Sequence, residues 1–63
     1  MNVYVVMANY RYTYEISDGH DQLIAVFSNR KDAEACAIEE EQMANKSEWV
    51  DYYKCRVVEK ELE

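Results

Sequence analysis

The chain has 63 residues, with 13 acids against 7 bases and a formal net charge of -6. One domain of this size buries only ~60% of the surface its unfolded chain exposes. It can hardly enclose a pocket of ~300 Å³ by itself, so a non-catalytic binding module is expected rather than an enzyme.

Other classes fall away on composition. No stretch approaches the ~18 apolar residues of a membrane span. The start Met1-Asn2-Val3-Tyr4 has no basic region or cleavage site, so no signal peptide is expected. Cys36 and Cys55 are the two cysteines, fewer than small secreted domains usually carry, and a reduced, cytoplasmic protein is the expectation. Disorder is excluded by 49% hydrophobic and 13% aromatic residues, which is too apolar for a chain that stays unfolded. Six of the eight aromatic residues are tyrosine. There is no proline and a single glycine, Gly19, so a few long elements are expected.

Residues 2–16 are dense in β-branched and aromatic side chains, which suit a pleated surface. Tyrosine alternates with Arg11 and Thr13 from Tyr10 to Tyr14, and both parities are apolar from Val3 to Ala8. The pattern predicts a first strand from Val3 to Tyr14, covered on both faces where it is apolar on both. Ser17-Asp18-Gly19-His20-Asp21 reads as a turn, with Gly19 able to take positive φ. Gln22 to Phe27 is a second strand that closes a hairpin. Ser28 or Asn29 can cap a helix from Arg30 to Asn45, with Asp32 in the position of a capping-box acid. At 100° per residue, Ala33, Cys36, Ala37, Met43 and Ala44 form a stripe facing the sheet, with Ile38 outside it. Trp49 to Glu61 is a third strand, and Glu59 to Glu63 is expected to fray.

The element order is β-β-α-β. A helical crossover makes the second and third strands parallel in direction, so the first can pair antiparallel with both. The expected fold is one α+β domain over residues 1–63. It has a three-stranded antiparallel sheet of order 2-1-3, one helix on one face, and the other face bare.

No Cys-x-x-Cys, Ser-His-Asp set, phosphate loop or metal motif occurs, so no cofactor, metal or catalytic residue is expected. His20 reads as a solvated turn residue, and Cys36 with Cys55 as small core hydrophobes. Two features suggest contact with another protein. The first is the acidic helix, with Glu34, Glu39, Glu40 and Glu41. Glu40 projects near the apolar stripe and is expected to reach past the sheet edge to water. The second is the parity of the first strand that holds Tyr4, Tyr10, Tyr12 and Tyr14. Turned outward, Tyr4, Tyr10, Tyr12 and Val58 would line the bare face, although Val3, Val5 and Met7 could equally be the outward set. Tyrosine concentrates in interfaces. The net negative charge opposes direct nucleic-acid binding.

The runs Asn2-Val3-Tyr4-Val5-Val6, Ile24-Ala25-Val26-Phe27-Ser28 leading into Asn29–Ala33, and Tyr53-Lys54-Cys55-Arg56-Val57-Val58-Glu59 resemble short uncharacterised phage and bacterial proteins. In those, a strand hairpin feeds an Ala- and Glu-rich helix and a last strand. In size and acidity the chain also resembles phage inhibitors of host defence, of the anti-restriction and anti-CRISPR type. That resemblance implies a host nucleic-acid-handling or defence protein as partner, blocked by an acidic surface, and a host-cytoplasmic location. The alternative is a small structural or regulatory subunit acting through its tyrosines. A bare sheet face on so small a chain also predicts a homodimer.

Overall fold

A computed structural model of the chain describes residues 1–14, 16 and 18–62. Part of the expected turn, Ser17, and the last tail residue, Glu63, lie outside the described residues. Strand β1 (Asn2–Tyr12) leads through the loop at Gly19 to β2 (His20–Phe27), helix α1 (Arg30–Ala44) and β3 (Val50–Glu61). The sheet order is β2-β1-β3 and both pairings are antiparallel. This is the α+β fold, with the strand order and central strand that the sequence predicts.

Local chemistry sets the boundaries. Asn29 is the helix cap, and its side-chain oxygen accepts from the Lys31 amide at 2.8 Å. Gly19 has φ +108°, and a Cβ there would stand 2.8 Å from the Tyr10 carbonyl oxygen. The loop therefore needs glycine both for its backbone angle and for space. The expected turn residues His20 and Asp21 belong to β2, paired with Tyr10 and Asn9. Strand β1 stops at Tyr12, two residues earlier than expected. The tail does not fray through Glu61, because Glu59, Lys60 and Glu61 pair with Tyr4, Val3 and Asn2. Beyond them the Leu62 amide donates to the Met1 carbonyl at 2.7 Å.

Register assigns the two faces, since directly paired residues project to the same side. Val6, Ala8 and Ala33 are fully buried, so α1 lies on the face bearing Tyr4, Val6, Ala8, Tyr10 and Tyr12. Opposite them on that face stand Val57, Cys55 and Tyr53 of β3. The helix also lies close to the outer edge of β3. One Glu41 carboxylate oxygen accepts from the Cys55 backbone amide at 2.6 Å, and the Asn45 side-chain Nδ2 donates to the Tyr53 carbonyl at 3.5 Å. The predicted stripe is therefore rotated at its C-terminal end. Met43 is exposed at 63%, while Glu40 and Glu41 are half-buried. The reason is that an edge strand offers unpaired amides, and a carboxylate satisfies one where a methionine cannot.

Candidate interaction surfaces

The open face of the sheet carries the other parity of β1. Across the middle, Val5 stands between Val26 of β2 and Val58 of β3, and the next row is Met7 between Leu23 and Arg56. Val5 is 9% exposed, whereas Val26 and Leu23 at the edge are 52% and 54% exposed. Val3, with Lys60 opposite it, completes this apolar block. The face then becomes polar at Asn9, Asp21, Lys54 and Arg11. Arg56 makes a two-pronged contact with Asp21 at 3.0 and 3.1 Å, and Arg11 meets Asp51 at 3.2 Å. The bond from Arg56 holds the Asp21 carboxyl below its ordinary range. Four of the seven Lys and Arg residues, Arg11, Lys54, Arg56 and Lys60, share this face.

This placement corrects the tyrosine stripe. Tyr4, Tyr10 and Tyr12 are on the helix side, and Val58 is on the opposite face beside Val5. The outward set is Val3, Val5 and Met7. The two parities look equally apolar in the sequence, so only the side on which the helix packs separates them.

The helix acids do not form one surface either. Asp32, Glu34 and Glu39 are exposed, and Glu40 is half-buried. Glu34 is 3.4 Å from Arg30 one turn earlier, and Glu41 is committed to Cys55. Cys36 and Cys55 are free thiols, each half-buried. Burial pushes both thiols above their ordinary range, and nearby helix glutamates add to the effect. Tyr53 shifts upward in the same way, again chiefly through burial.

The tyrosines assemble beyond the end of the helix. Tyr10 stacks on Tyr53 at 5.3 Å and meets the edge of Tyr12 at 5.5 Å. Tyr12 stacks on Tyr14 at 5.4 Å with the rings 5° from parallel. His20 is exposed as expected but belongs to β2 rather than to the turn, and its ring lies 5.2 Å from Tyr10 in this cluster. The Tyr10 hydroxyl donates to Gln22 at 2.8 Å. Beside the outer pair, Tyr12, Tyr14, Ser47 and Trp49 line an open recess of about 520 Å³. Trp49 is held there by its carbonyl, which accepts from the Thr13 amide at 2.7 Å, and by its amide, which donates to the Ser47 hydroxyl at 3.3 Å. Sequence reading missed Trp49 and Ser47. The available signal was the single tryptophan, standing after the polar run Asn45-Lys46-Ser47-Glu48 that follows the helix.

Among the described residues, no group of three or more His, Cys, Asp or Glu side chains is arranged to hold a metal ion. No described helix is long and apolar enough to cross a membrane. No protein-family model matches the sequence, and no significant match to a curated protein or a solved structure was found.

Proposed function

We propose that the protein is a non-catalytic binding module that works as a dimer, two copies meeting through their open sheet faces. The supporting observation is surface area. The chain exposes 4804 Å², against about 4,200 Å² for a compact monomer of its mass. Its extents of 41 × 21 × 10 Å describe a thin plate. Surface beyond that of a compact chain is what an uncovered sheet face leaves. The block of Val3, Val5, Met7, Leu23, Val26 and Val58 supplies an apolar centre, with Lys54 and Lys60 at a polar rim, as interfaces are usually built. Light scattering should give a mass near twice 7.5 kDa. Val26→Glu should shift it to the monomer without loss of helix signal, because Val26 is already half-exposed in the single chain. A monodisperse 7.5 kDa species at high concentration would overturn the reading.

A second reading is favoured by the way charge divides. Asp32, Glu34 and Glu39 are exposed on the helix, while most cations gather on the opposite face of the sheet. A dimer joined at the cationic faces turns its helices outward, with Asp32 and Glu39 among the exposed acids. Scattered carboxylates of this kind suit a phosphate-binding protein, in line with a phage-type inhibitor of a nucleic-acid-handling or defence factor. Complexes of this kind weaken as salt rises, since exposed charges are screened within ~8 Å at physiological ionic strength. Glu34→Lys with Glu39→Lys should abolish capture of a host nuclease or CRISPR component while the dimer persists. Capture that is insensitive to salt and to both substitutions would exclude the mimicry.

A further inference from the structure

We propose that the open sheet face meets a second copy in one orientation, about a two-fold axis running along β1, so that Lys54 of each copy contacts Asp21 of the other. This orientation rests on the dimer proposed above and specifies how its two faces are matched. The open face is built from rows that cross the sheet. Val26, Val5 and Val58 form one row, Leu23, Met7 and Arg56 the next, and Asp21, Asn9 and Lys54 the third. Val3 with Lys60 precedes them, and Arg11 with Tyr52 follows them. Charge is therefore split between the two outer strands. On this face β3 carries Lys54, Arg56 and Lys60, whereas β2 carries Asp21 and no cation.

Two symmetric arrangements exist when sheets pack with their strands aligned. An axis across the strands lays β3 on the β3 of the other copy. With the apolar rows stacked, Lys60 then meets Arg56 or Lys54, and cations face cations. An axis along β1 lays β3 on β2 instead and keeps each row opposite its own copy. Val26 then meets Val58, and Asp21 meets Lys54. Like charges brought together penalise the first arrangement, and opposite charges fix the second. Sheets packed face to face lie about 10 Å apart, a gap that a lysine and an aspartate side chain span together.

Both groups are available for that contact. Lys54 is exposed and has no hydrogen-bond or ion-pair partner among the described residues. Asp21 reaches over β1 to Arg56 at 3.0 and 3.1 Å, yet its side chain remains 50% exposed. Each carboxylate oxygen accepts one bond there and keeps a lone pair for another donor. The cations of this face outnumber Asp21 and Asp51, so the two faces repel in total. The apolar rows hold the copies together, and the charge pairs decide how they are turned. The same axis sets both helices outside and pointing the same way, with both Tyr12–Tyr14 pairs at one end of the dimer.

Sedimentation of the wild type and of Lys54→Glu compares their dimer dissociation constants. Lys54→Glu should raise the constant roughly tenfold, because two carboxylates then face each other. Lys54→Glu combined with Asp21→Lys exchanges the charges and should restore it. Both positions are exposed, and a retained far-UV spectrum excludes misfolding as the cause. Lys60→Glu, which meets no acid in this orientation, should leave the dimer unchanged or tighten it. With the axis across the strands, Lys54→Glu and Lys60→Glu would both tighten it. A carbodiimide, which joins ammonium and carboxylate groups in contact, gives a second readout. In a mixture of isotope-labelled and unlabelled protein it should yield a Lys54–Asp21 link between chains of different label. An unchanged or lower constant in Lys54→Glu, no recovery in the exchanged pair, or absence of the mixed link would overturn the orientation and leave the dimer standing. A wild type that stays at 7.5 kDa at high concentration would remove both.

Discussion

At Gly19 two demands meet in one residue. Its φ of +108° is strained for any residue with a Cβ, and that Cβ would also press on the Tyr10 carbonyl and on the hydroxyl of Tyr52. The Tyr52 hydroxyl is itself engaged, donating to the Asp18 carbonyl at 3.1 Å. Gly19→Ala should therefore cost about 1–3 kcal/mol, read as a lower urea midpoint with an unchanged slope. A substitution within a few tenths of a kcal/mol of the wild type would mean that the loop can relax. The thiols give a second prediction. Burial raises Cys36, Cys55 and Tyr53 above their ordinary ranges, so the folded state holds those protons more tightly than the unfolded chain. Their contribution is complete below the ordinary thiol range and is lost as pH rises through it. Thermal melts between pH 7 and about 10 should show falling stability, and Cys36→Ala with Cys55→Ala should flatten the decline. Labelling of either thiol at neutral pH should be slow, because the thiolate is the reactive form.

At the scale of elements, the contact of α1 with the β3 edge is the feature that periodicity could not foresee. A stripe drawn at 100° per residue places Met43 inward. The edge of β3 instead takes Glu41 and Asn45, since Cys55 and Tyr53 present a backbone donor and acceptor there. Glu41→Ala leaves the Cys55 amide to water and should cost about 1–2 kcal/mol, whereas Met43→Ala should be nearly neutral. Chemical denaturation of the two variants compares them directly. If Met43→Ala proved the more damaging, the helix would be packed by its apolar stripe after all. The N-terminal end was readable from the sequence. Of the two expected candidates, Ser28 and Asn29, it is Asn29 that caps, and Asn29→Ala should cost about 1 kcal/mol by the same measurement.

At the scale of the whole molecule, one helix lies on one face of the sheet in a plate-like chain 41 Å long. The consequence is two distinct surfaces, an apolar block with cations on the open face and an aromatic recess past the helix end. Salt should act on them in opposite ways. Association through the apolar block should persist or tighten in high sulfate, because the open-face cations repel across a two-copy interface and excluded salts favour burial. Binding through the acidic helix should weaken. Sedimentation in low and high salt separates the two, and a dimer that dissolves in high sulfate would not be held by Val5, Val26 and Val58.

The sequence by itself determined the element order, the central place of β1 and the antiparallel sheet of order β2-β1-β3. The reasons are local. β-branched runs, a cap at Asn29 and a turn at Gly19 act on neighbouring residues, and a helical crossover that makes β2 and β3 parallel in direction lets β1, apolar on both faces, pair antiparallel with both. Only the tertiary structure decided which parity of β1 faces the helix. A strand apolar on both faces carries no period-two signal, so Tyr4 and Val5 compete equally until α1 packs on one side. It also decided that Glu41 bonds to an edge amide, and that Trp49 comes beside Tyr12 and Tyr14 from more than thirty residues away in the chain. Contacts between such distant residues depend on the register of β1 against β3, including the irregularity between Arg11 and Tyr12, and no local pattern encodes that register.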